Sequence, residues 1–257
     1  MPDPSTVLRA LRASQLRLAA VVGELAATDL EHPSYDVGWS VADVLSHLGS
    51  QAEIFMTFID AGLDGTPPPS NESFGPIWDT WNAKAPGAKA ADALVADASF
   101  LERLETLDED TLARFELSLF GMEVDAARLL GMRLGEHALH TWDIAVAFDD
   151  TALLAPDATE LLIEALGGIV TRAAQPHEGG LVVSVVTSSP KHELILDTAA
   201  PSLVPGTAPD GSGELELSSE ALVRLVYGRL DDDHLGSPAP TTSGFALDQL
   251  RTVFPGF

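Results

Sequence analysis

Glu136 and His140 stand four residues apart in the segment GEHALHTWD. On a helix that spacing places their Cβ atoms about 5–6 Å apart on one face. A carboxylate oxygen and an imidazole nitrogen so placed can both reach an ion lying about 2 Å from each. A third donor is His47, whose neighbours three, four and seven positions away are Val44, Gln51 and Ile54. This is the seam that a helix turns toward a bundle interior, where an unpaired imidazolium is disfavoured. Two imidazoles and one carboxylate from two helices make a three-ligand site with an open position, the pattern of catalytic rather than structural zinc. The same set also suits iron, nickel or manganese. The competing reading of the Glu136–His140 pair is a salt-bridged helix face, with Glu136 paired to Arg133 or to a protonated His140.

Other residues near this constellation have less to do. His137 is rotated by about 100° from Glu136 around the helix and is read as non-ligating. Asp143, three residues after His140, is placed to accept from an imidazole and orient it. His32, His177, His192 and His234 fall in turns or beside a hairpin and read as surface or structural residues. Trp39 and Trp142 read as packing residues, whereas Trp78 and Trp81 lie in a loop-rich insert where they could line a cleft.

The elements that must hold these side chains are legible in the apolar spacing. Residues 5–27 repeat apolar positions at three- and four-residue steps, as an amphipathic helix does. Ser40 and Asp43 form a capping-box signal that opens a second helix, expected to reach about residue 61. The proline run in GLDGTPPPSNESFG cannot continue it. Further helices are expected over 88–107 and 123–148, which together suggest a four-helix bundle with some elaboration. One more helix is expected over 157–174. The runs LVVSVVTS (181–188) and HELILD (192–197) then read as a hairpin and GELELSS (213–219) as a half-exposed strand. SEALVRLVYGR returns to helical period, and a last helix is expected over 246–254. The fold class is therefore α+β, with a helical bundle over 1–150 and a connecting helix plus a small α+β domain over 151–257.

Composition narrows the partners. Lys and Arg number 14 against 39 Asp and Glu in 257 residues, a formal charge of −25. Such a chain repels a phosphate backbone and an anionic lipid surface, so neither nucleic acid nor a membrane is an expected partner. Cysteine is absent, which removes disulfides, thiolate ligands and any protein thiol nucleophile. The N-terminal residues lack the basic and then apolar pattern of a signal peptide, and no apolar run is long enough to span a bilayer. A cytoplasmic location is expected.

Three segments carry a resemblance: GWSVADVLSHLGSQAEIF, then GEHALHTWDIAVAF, and a C-terminal ALVRLVYGR followed by LRTVFPGF. Over nearly the whole chain the sequence resembles the mycothiol-dependent maleylpyruvate isomerase family, within the DinB-like metal-binding bundles. The resemblance implies a zinc ion held by His47, Glu136 and His140, the residues that the helix-face argument also selects. It implies a sterol-carrier-like C-terminal domain and a catalytic arginine there, for which Arg224 and Arg229 are the candidates. It further implies mycothiol as the thiol cosubstrate, and small-molecule electrophiles as the other partner. With no cysteine in the chain, any sulfur chemistry must draw on such a molecule.

The expected function is a zinc-dependent isomerase or S-transferase in which the thiol, bound as thiolate, adds to an activated alkene. An arginine would hold a substrate carboxylate or the developing enolate. Two alternatives remain at the level of sequence. One is a metal-dependent hydrolase activating water at the open position. The other is a non-catalytic module binding an apolar ligand.

Overall fold

In the computed structural model, which describes residues 2–119 and 121–256, the first helix begins where Asp3 can cap it. The Asp3 carboxylate accepts from the Ser5 amide, and Pro4 occupies a first-turn position where its missing N–H is not needed. This helix, α1, spans Pro4–Glu24. Helix α2 spans Val41–Asp64 behind the Ser40/Asp43 capping box and ends at Gly65, whose left-handed φ of 64° terminates it. It therefore runs one turn further than the apolar spacing predicts.

Three helices then appear in the stretch between α2 and the last bundle helix, two of which apolar periodicity does not announce. Helix α3 (Gly75–Asn82) follows a 3-10 turn at Asn71–Phe74, helix α4 spans Pro86–Glu105, and a short α5 covers Glu109–Ala113. Of these only α4 is expected from the sequence. Strands β1 (Glu116–Leu119) and β2 (Met122–Asp125) pair antiparallel. The last bundle helix, α6 (Ala126–Ala145), starts only after β2, because Asp125 caps it by accepting from the Arg128 amide. Glu123 and Val124, expected at its start, are in the hairpin.

The long helices form a four-membered ring in which α1 packs on α4 and α6, and α2 packs on the same two. Helix α2 is enclosed along most of its length, with Val41, Val44, Leu45, Leu48 and Ile59 at 0% exposure. Burial of these side chains contributes roughly 1.5–3 kcal/mol each and is what fixes the rotation of α2 about its axis. Two close approaches refine that position. A Cβ at Gly49 would run into the Trp81 ring, and one at Gly62 into the Phe115 ring. The chain divides into two compact units at the Ala152–Leu153 bond.

The second unit is α+β. Helix α7 spans Pro156–Ala173. Strands β3 (Val182–Ser188), β4 (Glu193–Asp197), β5 (Ser202–Pro205), β6 (Gly213–Ser218) and β7 (Thr241–Ser243) follow. They form one sheet in the order β5-β4-β3-β6-β7. Strands β3 and β4 make the expected hairpin, with Val182 opposite Asp197, while β6 lies parallel to β3. The short edge strands β5 and β7 are additions to the expected set. Helices α8 (Ser219–Val226) and α9 (Leu247–Val253) complete the unit. Phe257, the last residue of the C-terminal motif, lies outside the described residues. Among the described residues no helix is long and apolar enough to cross a membrane.

Candidate metal centre

Helices α2 and α6 bring His47, Glu136 and His140 together, each offering a donor atom within 4.8 Å of the other two. His47 Nε2 lies 3.1 Å from Glu136 Oε2, and His140 Nε2 lies 3.8 Å from the same oxygen. Tetrahedral coordination with arms of about 2.0–2.1 Å needs donors about 3.3 Å apart, so these separations bracket the required edge. The donor chemistry, two borderline imidazoles and a carboxylate, fits zinc with one position left open. Glu136 is about a third exposed while His140 is nearly buried, so the cluster is reachable from one side.

The surroundings hold the donors in usable forms. Burial pushes the His47 imidazole below its usual value, against the pull of its hydrogen bond to Glu136. That favours the neutral ring, the form a metal accepts. For Glu136, burial opposes ionisation, but the hydrogen bond with His47 and the nearby His140 and Arg133 outweigh it. Its carboxyl is held below the ordinary range. The other nitrogen of His140, Nδ1, lies 2.8 Å from Asp143 Oδ2 and 3.1 Å from Asp36 Oδ2. A carboxylate on Nδ1 keeps a proton there and leaves Nε2 as the donor facing Glu136. Asp143 is fully buried, one turn along α6 from the ring it orients.

Asp36 was not visible as a site residue in the sequence. It lies in the turn between a 3-10 segment and α2, 104 positions from His140. The turn is fixed by a Pro33–Ser40 bridge, by the Ser34 amide donating to the Trp39 carbonyl, and by the Tyr35 amide donating to the Asp143 carbonyl. Gly38 adopts a φ of 85° there. The same turn carries Trp39, whose ring stacks at 16° on His140 and sits 5.3 Å from the His47 ring. Trp39 is 38% exposed. It covers the two imidazoles instead of packing in the core, which corrects the sequence expectation. Trp142 does pack in the interior and donates to the Ala152 carbonyl.

His137 faces away from the cluster. Its Nε2 lies 3.0 Å from Asp97, its Nδ1 lies 2.9 Å from Ser14, and all three are buried. Arg133 is also fully buried and bonds Asp97 and the Leu48 carbonyl. Its guanidinium therefore does not form the Arg133–Glu136 salt bridge, one of the two pairings in the competing sequence reading; the other, between Glu136 and His140, is spaced at 3.8 Å. The serine, histidine and aspartate have the order of a nucleophilic triad but no route for a substrate, so they serve as a buried polar brace between α1, α4 and α6.

In the second unit, Arg224 lies on α8 and is 1% exposed, and Arg229 is 7% exposed. The Arg224 fork engages both oxygens of Glu220, with Nη2 at 3.0 Å, and its Nη1 reaches the carbonyls of Arg229 and His234. Arg229 donates to the Tyr227 carbonyl at 3.0 Å.

A family model described as the mycothiol maleylpyruvate isomerase N-terminal domain matches residues 11–145, a span that includes all three donors. Among solved structures, a crystal structure of the mycothiol-dependent maleylpyruvate isomerase is similar in fold. Its TM-score is 0.68 at 18% identity, over 95% of this chain and 93% of that one. A histidine-to-alanine mutant of that enzyme matches at TM-score 0.68 and 17% identity over the same shares. No curated protein matches the sequence.

Proposed function

The chain belongs to the mycothiol maleylpyruvate isomerase family, and from that premise we propose that it is a zinc-dependent enzyme that uses mycothiol to add to, and isomerise or conjugate, an electron-poor alkene. The observation that carries the reading is the convergence of His47, Glu136 and His140 on one partly exposed point. A zinc ion held there would lower the pKa of a docking thiol, so that sulfur attacks as thiolate at neutral pH.

The chain's own residues supply the rest. Asp143 and Asp36 fix the His140 tautomer, and Trp39 shields both imidazoles from water. Sulfur forms a bond to one alkene carbon, and the π pair moves onto the conjugated carbonyl as an enolate. The former double bond, now single, rotates. Collapse of the enolate expels the sulfur, giving the trans-alkene with no net use of thiol. In the transferase variant of the same step, the enolate takes a proton from water and the thioether leaves.

Arg224 and Arg229 are proposed for the enolate oxygen, an assignment that rests on the family resemblance. Since Glu220 already fills the Arg224 fork, an incoming oxyanion would have to displace it. We place the reaction in the cytoplasm, where low-molecular-weight thiols are kept reduced.

The test mixes zinc-loaded protein with mycothiol and a conjugated cis-alkene, following free thiol and alkene geometry together. Geometry change without thiol loss, or catalytic thiol loss with thioether formed, supports the reading and distinguishes its two forms. Neither occurring above the uncatalysed rate overturns it.

A further inference from the structure

Glu136 and its neighbours on α2 and α6 line a cavity beside the three donors. His47, Gln51 and Phe55 succeed one another at four-residue steps on α2, and Glu136 and Met132 do so on α6. These pairs therefore line one continuous face. The cavity measures about 190 Å³ and is bounded by Phe55, Phe58, Phe74, Trp78, Met132 and Glu136. Its aromatic members touch in series: Phe55 to Phe58 at 5.7 Å, Phe58 to Phe74 at 5.6 Å and Phe74 to Trp78 at 6.1 Å, each edge to face. The first three rings are buried, and Trp78 forms the exposed rim at 41%. A dry apolar cavity of about 150 Å³ accommodates benzene, so this one has room for a substituted ring.

Its electrostatics are equally one-sided. Among the described residues lining the cavity none is a lysine, arginine or histidine, Gln51 and Asn71 are neutral, and Glu136 is the one ionisable group. Arg133 lies behind the Phe55 ring, 5.8 Å from its centroid, fully buried and already bound to Asp97. A divalent ion at the centre would be neutralised by Glu136 and one thiolate, so the cavity itself offers no positive charge to a dianionic substrate. We propose that the alkene taken by this enzyme is an uncharged compound with an aromatic ring, seated among Phe55, Phe58, Phe74 and Trp78 with its conjugated double bond toward Glu136. A dicarboxylate of the maleylpyruvate kind is disfavoured. This inference rests on the reading of the three donors as the reaction centre.

The decisive experiment separates binding from turnover. Metal-free protein is titrated with 4-phenylbut-3-en-2-one, a neutral aromatic enone, and with maleate, reading tryptophan fluorescence and heat of binding. The expected result is saturable binding of the enone at least about tenfold tighter than maleate. Phe74→Ala and Phe58→Ala should each weaken the enone by about tenfold, as the loss of a ring contact predicts. Phe74→Leu, which keeps the volume apolar, should restore part of it. Maleate binding as tightly as the enone, or no effect of either alanine variant, overturns the proposal. Zinc-loaded protein is then given mycothiol with each alkene. Turnover of maleate in preference to the enone overturns the substrate assignment while leaving the thiol chemistry standing. Tight enone binding with no thiol chemistry on either compound instead removes the reaction reading, and with it this assignment.

Discussion

At His140 the two ring nitrogens face different tasks: Nε2 turns toward Glu136, and Nδ1 is held by Asp143 and Asp36. Replacing Asp143 with asparagine keeps the shape but allows the amide to present a donor to Nδ1, which permits the wrong tautomer. Asp143→Asn should weaken zinc binding by about 10–100-fold, measured by competition with a chromogenic chelator. Unchanged affinity would mean that the carboxylate merely packs there. The three donors and Asp143 are legible in the sequence because helical spacing of three and four residues is itself a statement about direction. Asp36 and Trp39 are not, since a turn has no period and its placement depends on backbone hydrogen bonds to α6. The partner of Arg133 was equally hidden: Asp97 lies 36 positions away on α4, and only the packing of both α4 and α6 on α1 and α2 brings the two within reach.

Helix α2 carries His47 at one end of a face and Phe55 further along, so its rotation and depth decide whether the site exists. The Trp81 indole sets that depth by resting on Gly49, while its Nε1 donates to Glu53 at 2.9 Å. Gly49→Ala should destabilise the protein by about 1–3 kcal/mol, because the ring must move out of a well-packed position. Gly23→Ala, on α1 where an added Cβ meets nothing within 4 Å, should be neutral or stabilising by up to about 1 kcal/mol. Denaturant midpoints of the two variants test the contrast, and equal shifts would contradict it. The long helices and the three longest strands are readable because they repeat a period over several turns or alternate over several residues. Helices α3 and α5 and strands β1, β2, β5 and β7 span three to eight residues. These segments are ordered by their tertiary partners and, unlike the equally short α8 and α9, carry no local pattern that reports them.

For the whole molecule, an excess of 25 negative charges opposes compaction, and the bundle unit adds a few buried ionic contacts to its surface pairs. Burial raises the pKa of Asp97, but His137 and Arg133 more than compensate, so its folded value lies below that of the unfolded chain. Its contribution to stability is therefore complete above the unfolded pKa of about 3.9 and is lost as pH falls through the lower folded value. Asp97→Asn should cost about 3–5 kcal/mol at pH 7, since it leaves Arg133 buried without its counter-charge. The gap from the parent protein should narrow only in strongly acidic solution. A gap independent of pH down to that range would show that the charge of Asp97 is not what stabilises the brace.

The central claim is that one ion sits between two helices on His47, Glu136 and His140. Metal content per chain after exhaustive dialysis of protein loaded with zinc tests it directly, comparing the parent with His47→Ala and with a folded control altered at His177. The parent and the control, whose half-buried His177 lies in the other unit, should each retain close to one zinc per chain, and His47→Ala close to none, while its helical circular dichroism is kept. Equal zinc retention by His47→Ala, or none by the parent, would contradict the account.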